Sequence, residues 1–136
     1  MIAVLDASAA FEFVLGRPES QQIADALANA DLVLAPDLYV AEVSNAVWKY
    51  VLSGHIPAES ADVLLDIVSL PDELISSHDL YREAFAFSVR KNHPVYDSLY
   101  SILARRNDAT LLTMDRRLAK ISREEGISVI PNLSET

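Results

Sequence analysis

The chain has no cysteine and only three glycines among its 136 residues. Without thiols it has no disulfide, no thiolate metal centre and no cysteine nucleophile. Three scattered glycines cannot build a Gly-rich loop that cradles phosphates. Long hydrophobic runs are missing too, since none approaches the roughly 20 residues needed to span a bilayer. Met1 leads directly into an apolar strand, without the basic region and apolar core of a signal peptide. A cytoplasmic protein with no membrane partner is expected. Histidine is sparse: His55, His78 and His93 show no metal-ligand spacing and read as surface or turn residues. Ser8 has no histidine close to it in sequence, which sets aside a serine nucleophile.

What is present is ample hydrophobic material and an acidic balance. Hydrophobic residues make up 51% of the chain, and no low-complexity tract interrupts them. That is enough to bury the core of one domain spanning residues 1–136. The net charge of −9 is unevenly spread. Nine basic residues against four acids give the stretch from Arg82 to Arg123 a charge of +5, and the remainder sums to −14. Such asymmetry suggests a basic face on an acidic body, the pattern of an anionic ligand. Ordinary solvated helix faces would produce the same count.

Strand and helix patterns alternate along the whole length. Short apolar strands are expected at 2–5, 32–35, 74–75, 109–113 and 127–130. Helices are expected from Ala7 to Leu15, Pro18 to Ala30, Pro36 to Ser53, Pro57 to Ser69 and Ser77 to Lys91. Two more run from Tyr96 to Arg106 and from Asp115 to Glu125, the last stopped by Gly126. Asn92-His93-Pro94 reads as a turn. Buried strands separated by helices imply an α/β fold, a mainly parallel sheet covered on both faces. Ligands in such folds collect beyond the carboxyl ends of the strands.

Four carboxylates stand out against this frame. Asp6 follows the first strand, Asp115 follows Leu111-Leu112-Thr113-Met114, and Asp97 opens a helix. Each of these three could simply cap a helix or sit in its first turn. Glu42 lies one turn from Asn45 on an otherwise largely apolar helix, where capping does not explain it. Four like charges gathered at one sheet edge would raise one another's pKa unless a cation offset them. Hard oxygen ligands select Mg²⁺ or Mn²⁺ over Zn²⁺. Ser8 and Thr113 lie two residues from Asp6 and Asp115, where a hydroxyl can hold a water or a phosphate oxygen, or cap a helix. Tyr39, Tyr50, Tyr96, Tyr100 and Trp48 could stack bases; their helical spacing fits core packing better.

The segments Asp6-Ala7-Ser8-Ala9, Glu42-Val43-Ser44-Asn45-Ala46, Tyr96-Asp97-Ser98-Leu99-Tyr100 and Thr113-Met114-Asp115-Arg116-Arg117-Leu118 resemble the PIN-domain nucleases. Among those the chain is most similar to VapC-type toxins of toxin–antitoxin pairs. The resemblance runs in order over nearly the whole length. It implies a three-layer α/β/α sandwich and an endoribonuclease dependent on Mg²⁺, with Mn²⁺ able to substitute. It also implies a homodimer inhibited by a cognate antitoxin that covers the acidic site. By position, Asp6, Glu42, Asp97 and Asp115 become the catalytic acids, with Asp6, Asp97 and Asp115 holding the metal. Ser8, Asn45 and Thr113 become supporting polar residues, and Arg105, Arg116 and Arg117 contacts for RNA phosphates. Some members carry a further acid shortly after the position of Asp115, where this chain has Arg116, Arg117 and Lys120. Four acids are expected to hold one metal, a second joining with the substrate phosphate.

Two other classes compete. A phospho-acceptor signalling domain requires adjacent acids after the first strand and a late strand-end lysine, and Asp6 stands alone. A catalytically silent PIN-like interaction module would keep the fold without the chemistry, although all four acids are present.

Overall fold

β1 (Ile2–Leu5) is buried over its last three residues and forms the centre of a five-stranded sheet. The other strands are β2 (Leu32–Pro36), β3 (Glu73–Ile75), β4 (Thr110–Leu112) and β5 (Val129–Ile130). Their order is β3-β2-β1-β4-β5, and every pairing is parallel. This computed structural model describes residues 1–133; the end of the expected domain, 134–136, lies outside the described residues. No helix among them is long and apolar enough to cross a membrane.

The helices are α1 (Ala7–Val14), α2 (Ser20–Asn29), α3 (Leu38–Leu52), α4 (Ala61–Leu65), α5 (Tyr81–Lys91), α6 (Val95–Arg106) and α7 (Arg116–Glu124). Right-handed crossovers carry α1 to α4 over one face of the sheet and α5 to α7 over the other. The product is an α/β/α sandwich, as expected. The layers close on residues such as Leu5, Tyr39, Phe87, Tyr100, Leu103 and Leu112, all fully buried or nearly so. Strand order reverses between β1 and β4, so the crevice for a ligand opens at the carboxyl ends of those two strands.

Several boundaries differ from expectation for identifiable reasons. Pro36 ends β2 opposite Ile75 instead of opening a helix, and α3 starts at Leu38. Pro18 lies in a turn, with α2 beginning at Ser20. The expected helix from Pro57 to Ser69 is broken into a 3-10 turn, the short α4 and a second 3-10 turn at Asp66–Ser69. Pro71 has no N–H to give the Ile67 carbonyl an i+4 partner, so that oxygen accepts instead from the Leu70 amide at 3.2 Å and from the buried Tyr39 hydroxyl at 2.6 Å. Likewise Ser77–Asp79 forms a 3-10 turn, and α5 starts only after the buried Leu80.

Candidate functional site

The register sets the first contact. Leu5 pairs with Leu112, so the next residues, Asp6 and Thr113, emerge side by side at the switch point. Asp6 caps α1, and its Oδ1 accepts from the Ala9 amide at 2.9 Å and from the Ser8 hydroxyl at 2.7 Å. The Thr113 hydroxyl donates to Oδ2. Ser8 Oγ also accepts from the Met114 amide at 2.9 Å, and Thr113 Oγ1 from the Asp115 amide at 3.0 Å. Both hydroxyls therefore lock Asp6 to the loop after β4 and are engaged in doing so. With three bonds accepted out of about four lone-pair sites, Asp6 keeps room for one more partner on Oδ2.

Asp115 caps α7, its Oδ1 accepting from the Leu118 amide at 3.0 Å. Capping and site membership thus coexist in both aspartates. Glu42 lies in the second turn of α3 and reaches inward, where the Tyr100 hydroxyl of α6 donates to its Oε1 at 2.6 Å. Asp97, in the first turn of α6, places Oδ2 3.0 Å from His93 Nε2. Asn45 is exposed, lining an open groove of about 320 Å³ with Ser8, Phe11, Glu42 and Lys49.

Electrostatics tie the four acids together. Burial pushes the Asp6 carboxyl from 3.8 up to about 6 against the lowering effect of its hydrogen bonds, and Glu42 raises it further. Glu42 is held above the carboxylate range by burial and by Asp97, with Tyr100 opposing the shift. Asp97 is raised by burial and by Asp115, while His93 lowers it. The expected mutual repulsion acts on Asp6, Glu42 and Asp97, but loss of water is the larger cause in each of these three. Tyr100 is driven upward by burial and by the carboxylate it faces, so it remains a donor.

Such a group suits a divalent cation. One oxygen each from Asp97 and Asp115 and one nitrogen of His93 all lie within 4.8 Å of one another. Three partly desolvated carboxylates with raised pKa values are what a bound cation would relieve. The carboxylate oxygens suit a hard divalent ion.

His93 lies in the expected turn between α5 and α6, but is buried beside Asp97. The signal in the sequence was its place four residues before Asp97, in the turn that leads into α6. Tyr100, expected as core, also holds Glu42. The basic stretch does not make one face. Arg90, Lys91, Arg105 and Arg106 are tied to Glu83, Glu124 and Glu125. Arg105, eight residues along α6 from Asp97 and so about 12 Å away along its axis, is committed to Glu83 and Glu125 and is not brought to the acids. Arg117 remains near them, donating to the Asn92 carbonyl at the turn that precedes His93. Arg116 leads α7 directly after Asp115.

Residues 3–124 match the PIN domain. The chain belongs to the PIN-domain family. Within it, Ribonuclease VapC3 of Pyrobaculum aerophilum is 30% identical over 123 residues, covering 88% of this chain and 94% of that protein. Ribonuclease VapC1 of Mycobacterium tuberculosis is 34% identical over 116 residues, covering 85% and 87%. This PIN-domain protein therefore falls in the VapC branch. In three dimensions it is similar to a Pyrobaculum aerophilum protein with a TM-score of 0.73, 19% identity and coverage of 96% and 84%. VapBC2 of Rickettsia felis, solved bound to a promoter DNA fragment, has a TM-score of 0.63 at 19% identity, covering 95% and 97%. These structural likenesses establish the fold.

Proposed function

We propose that this PIN-domain protein is a cytoplasmic endoribonuclease dependent on Mg²⁺ or Mn²⁺, the toxin of a type II pair. A cognate antitoxin inhibits it, and it acts as a homodimer. The observation that carries the reading is the convergence of Asp6, Glu42, Asp97 and Asp115 at the switch point of a VapC-branch fold. The relatives named ribonuclease supply the reaction class, and the solved VapBC pair the kind of partner.

Each residue has work that follows from its surroundings. Asp97 and Asp115 would hold the cation directly, and Asp6 would add its remaining lone pair from the β1 end. Ser8 and Thr113 keep Asp6 at a fixed angle, a positioning role in place of contact with phosphate. Glu42, raised above the usual carboxylate range, orients the attacking water and takes up its proton, and Tyr100 keeps it aimed into the site. Arg116 and Arg117 border the acids and suit the phosphates flanking the scissile bond, guanidinium forks matching phosphate geometry. Asn45 offers an amide at the groove beside Glu42 for the substrate strand. When bound, the cation lowers the pKa of the nucleophilic water and offsets charge on the transition state.

The test is cleavage of RNA by purified protein, with EDTA as control. Asp6→Asn and Asp97→Asn are expected to lower the rate by about a thousandfold or more while remaining folded at the assay pH. Unchanged metal-dependent cleavage by both variants would overturn the assignment. A folded wild-type protein with no metal-stimulated cleavage would support the silent interaction module instead.

A further inference from the structure

His93 occupies the turn between α5 and α6 with its side chain only 5% exposed. A buried imidazole ordinarily has at least one nitrogen satisfied. Neither Nδ1 nor Nε2 of His93 has a directed hydrogen-bond partner among the described residues. Nε2 nevertheless stands 3.0 Å from Asp97 Oδ2, at ion-pair distance from that carboxylate. Two donors on adjacent corners of an octahedron, each about 2.1 Å from the ion, lie about 3.0 Å apart. The contact thus has the length expected of two ligands sharing one cation. Asp115 supplies the third donor of the set.

The backbone holds the ring in place. Asn92 adopts the left-handed conformation (φ 51°) that ends α5, and the His93 amide bonds back to the Ser88 carbonyl at 3.2 Å. Pro94 then restricts the residue before it and leads into α6. An imidazole presented by such a turn loses little freedom on ligation.

We propose that His93 Nε2 is a ligand of the divalent ion beside Asp97 and Asp115, and that it biases the site toward Mn²⁺ over Mg²⁺. The proposal rests on the metal-dependent reading above and deepens it. Mg²⁺ is hard and favours oxygen, whereas a nitrogen donor raises affinity for first-row transition ions. A neutral imidazole also completes the ligand set without another negative charge among carboxylates already short of water.

The deciding measurement is pulsed EPR of the Mn²⁺-loaded protein. Nitrogen hyperfine coupling from a bound imidazole is expected, and it should change when ¹⁵N-histidine replaces the natural isotope. His93→Gln should abolish it. Titration should show Mn²⁺ affinity falling about tenfold or more in that variant, and Mg²⁺ affinity changing less than about threefold. Bound Mn²⁺ with no nitrogen coupling overturns the ligand assignment and leaves the nuclease reading standing. A wild-type protein that binds neither ion overturns that reading as well. Should His93→Gln fail to fold, isotope labelling of the wild-type protein alone decides.

Discussion

Asp6 shows how one side chain can serve the fold and the chemistry at once. It caps α1, yet sits almost dry between two strands, with a carboxyl that holds its proton to about pH 6. In the unfolded chain the same group loses its proton near 3.8. Between those values the folded state binds more protons, so stability falls as pH rises through that window and is level above it. The effect amounts to about 3 kcal/mol from this group alone. Asn cannot titrate, so in EDTA the stability of Asp6→Asn relative to wild type should climb by about that amount from pH 4 to pH 6.5. Denaturant melts at each pH measure it, and a constant difference would mean that Asp6 is solvated in the metal-free protein.

At the level of elements, the turn between α5 and α6 controls half of the site. It orients His93, starts the helix that carries Asp97 and Tyr100, and offers the Asn92 carbonyl to Arg117. Its geometry depends on Asn92 at φ 51°, which a β-branched residue adopts poorly. Asn92→Ile should cost about 1–2 kcal/mol in stability and weaken metal binding. Asn92→Gly should preserve metal binding. Calorimetric titration of both variants would show it, and equal binding by the two would mean that the turn does not place the ligands.

For the molecule as a whole, charge sets the terms of association. The net −9 opposes approach of RNA and favours a basic partner. Ion pairs among α5, α6 and α7 neutralise much of the segment that looked basic, while Arg116 and Arg117 stand at the start of α7 directly after Asp115. The rate of association with a basic antitoxin should therefore fall as salt is raised from 50 to 500 mM, by about tenfold. A stopped-flow rate that ignores ionic strength would rule out electrostatic steering.

The α/β class, the sheet-edge position of Asp6 and Asp115 and the odd polarity of Glu42 were all legible in the residues, because hydrophobic periodicity and capping are local. Which strands adjoin was not, since the parallel order joins segments about a hundred residues apart, as Asp6 and Thr113 show. Nor could local pattern reveal that Glu83 and Glu125 would claim Arg105. His93 makes the division plainest. Its spacing to Asp97 is written in the chain, but only the packing of α5 against α6 removes it from water and sets Nε2 beside Asp97. The carboxylates were determined by sequence; their shared dryness, and the imidazole among them, were decided by the tertiary structure.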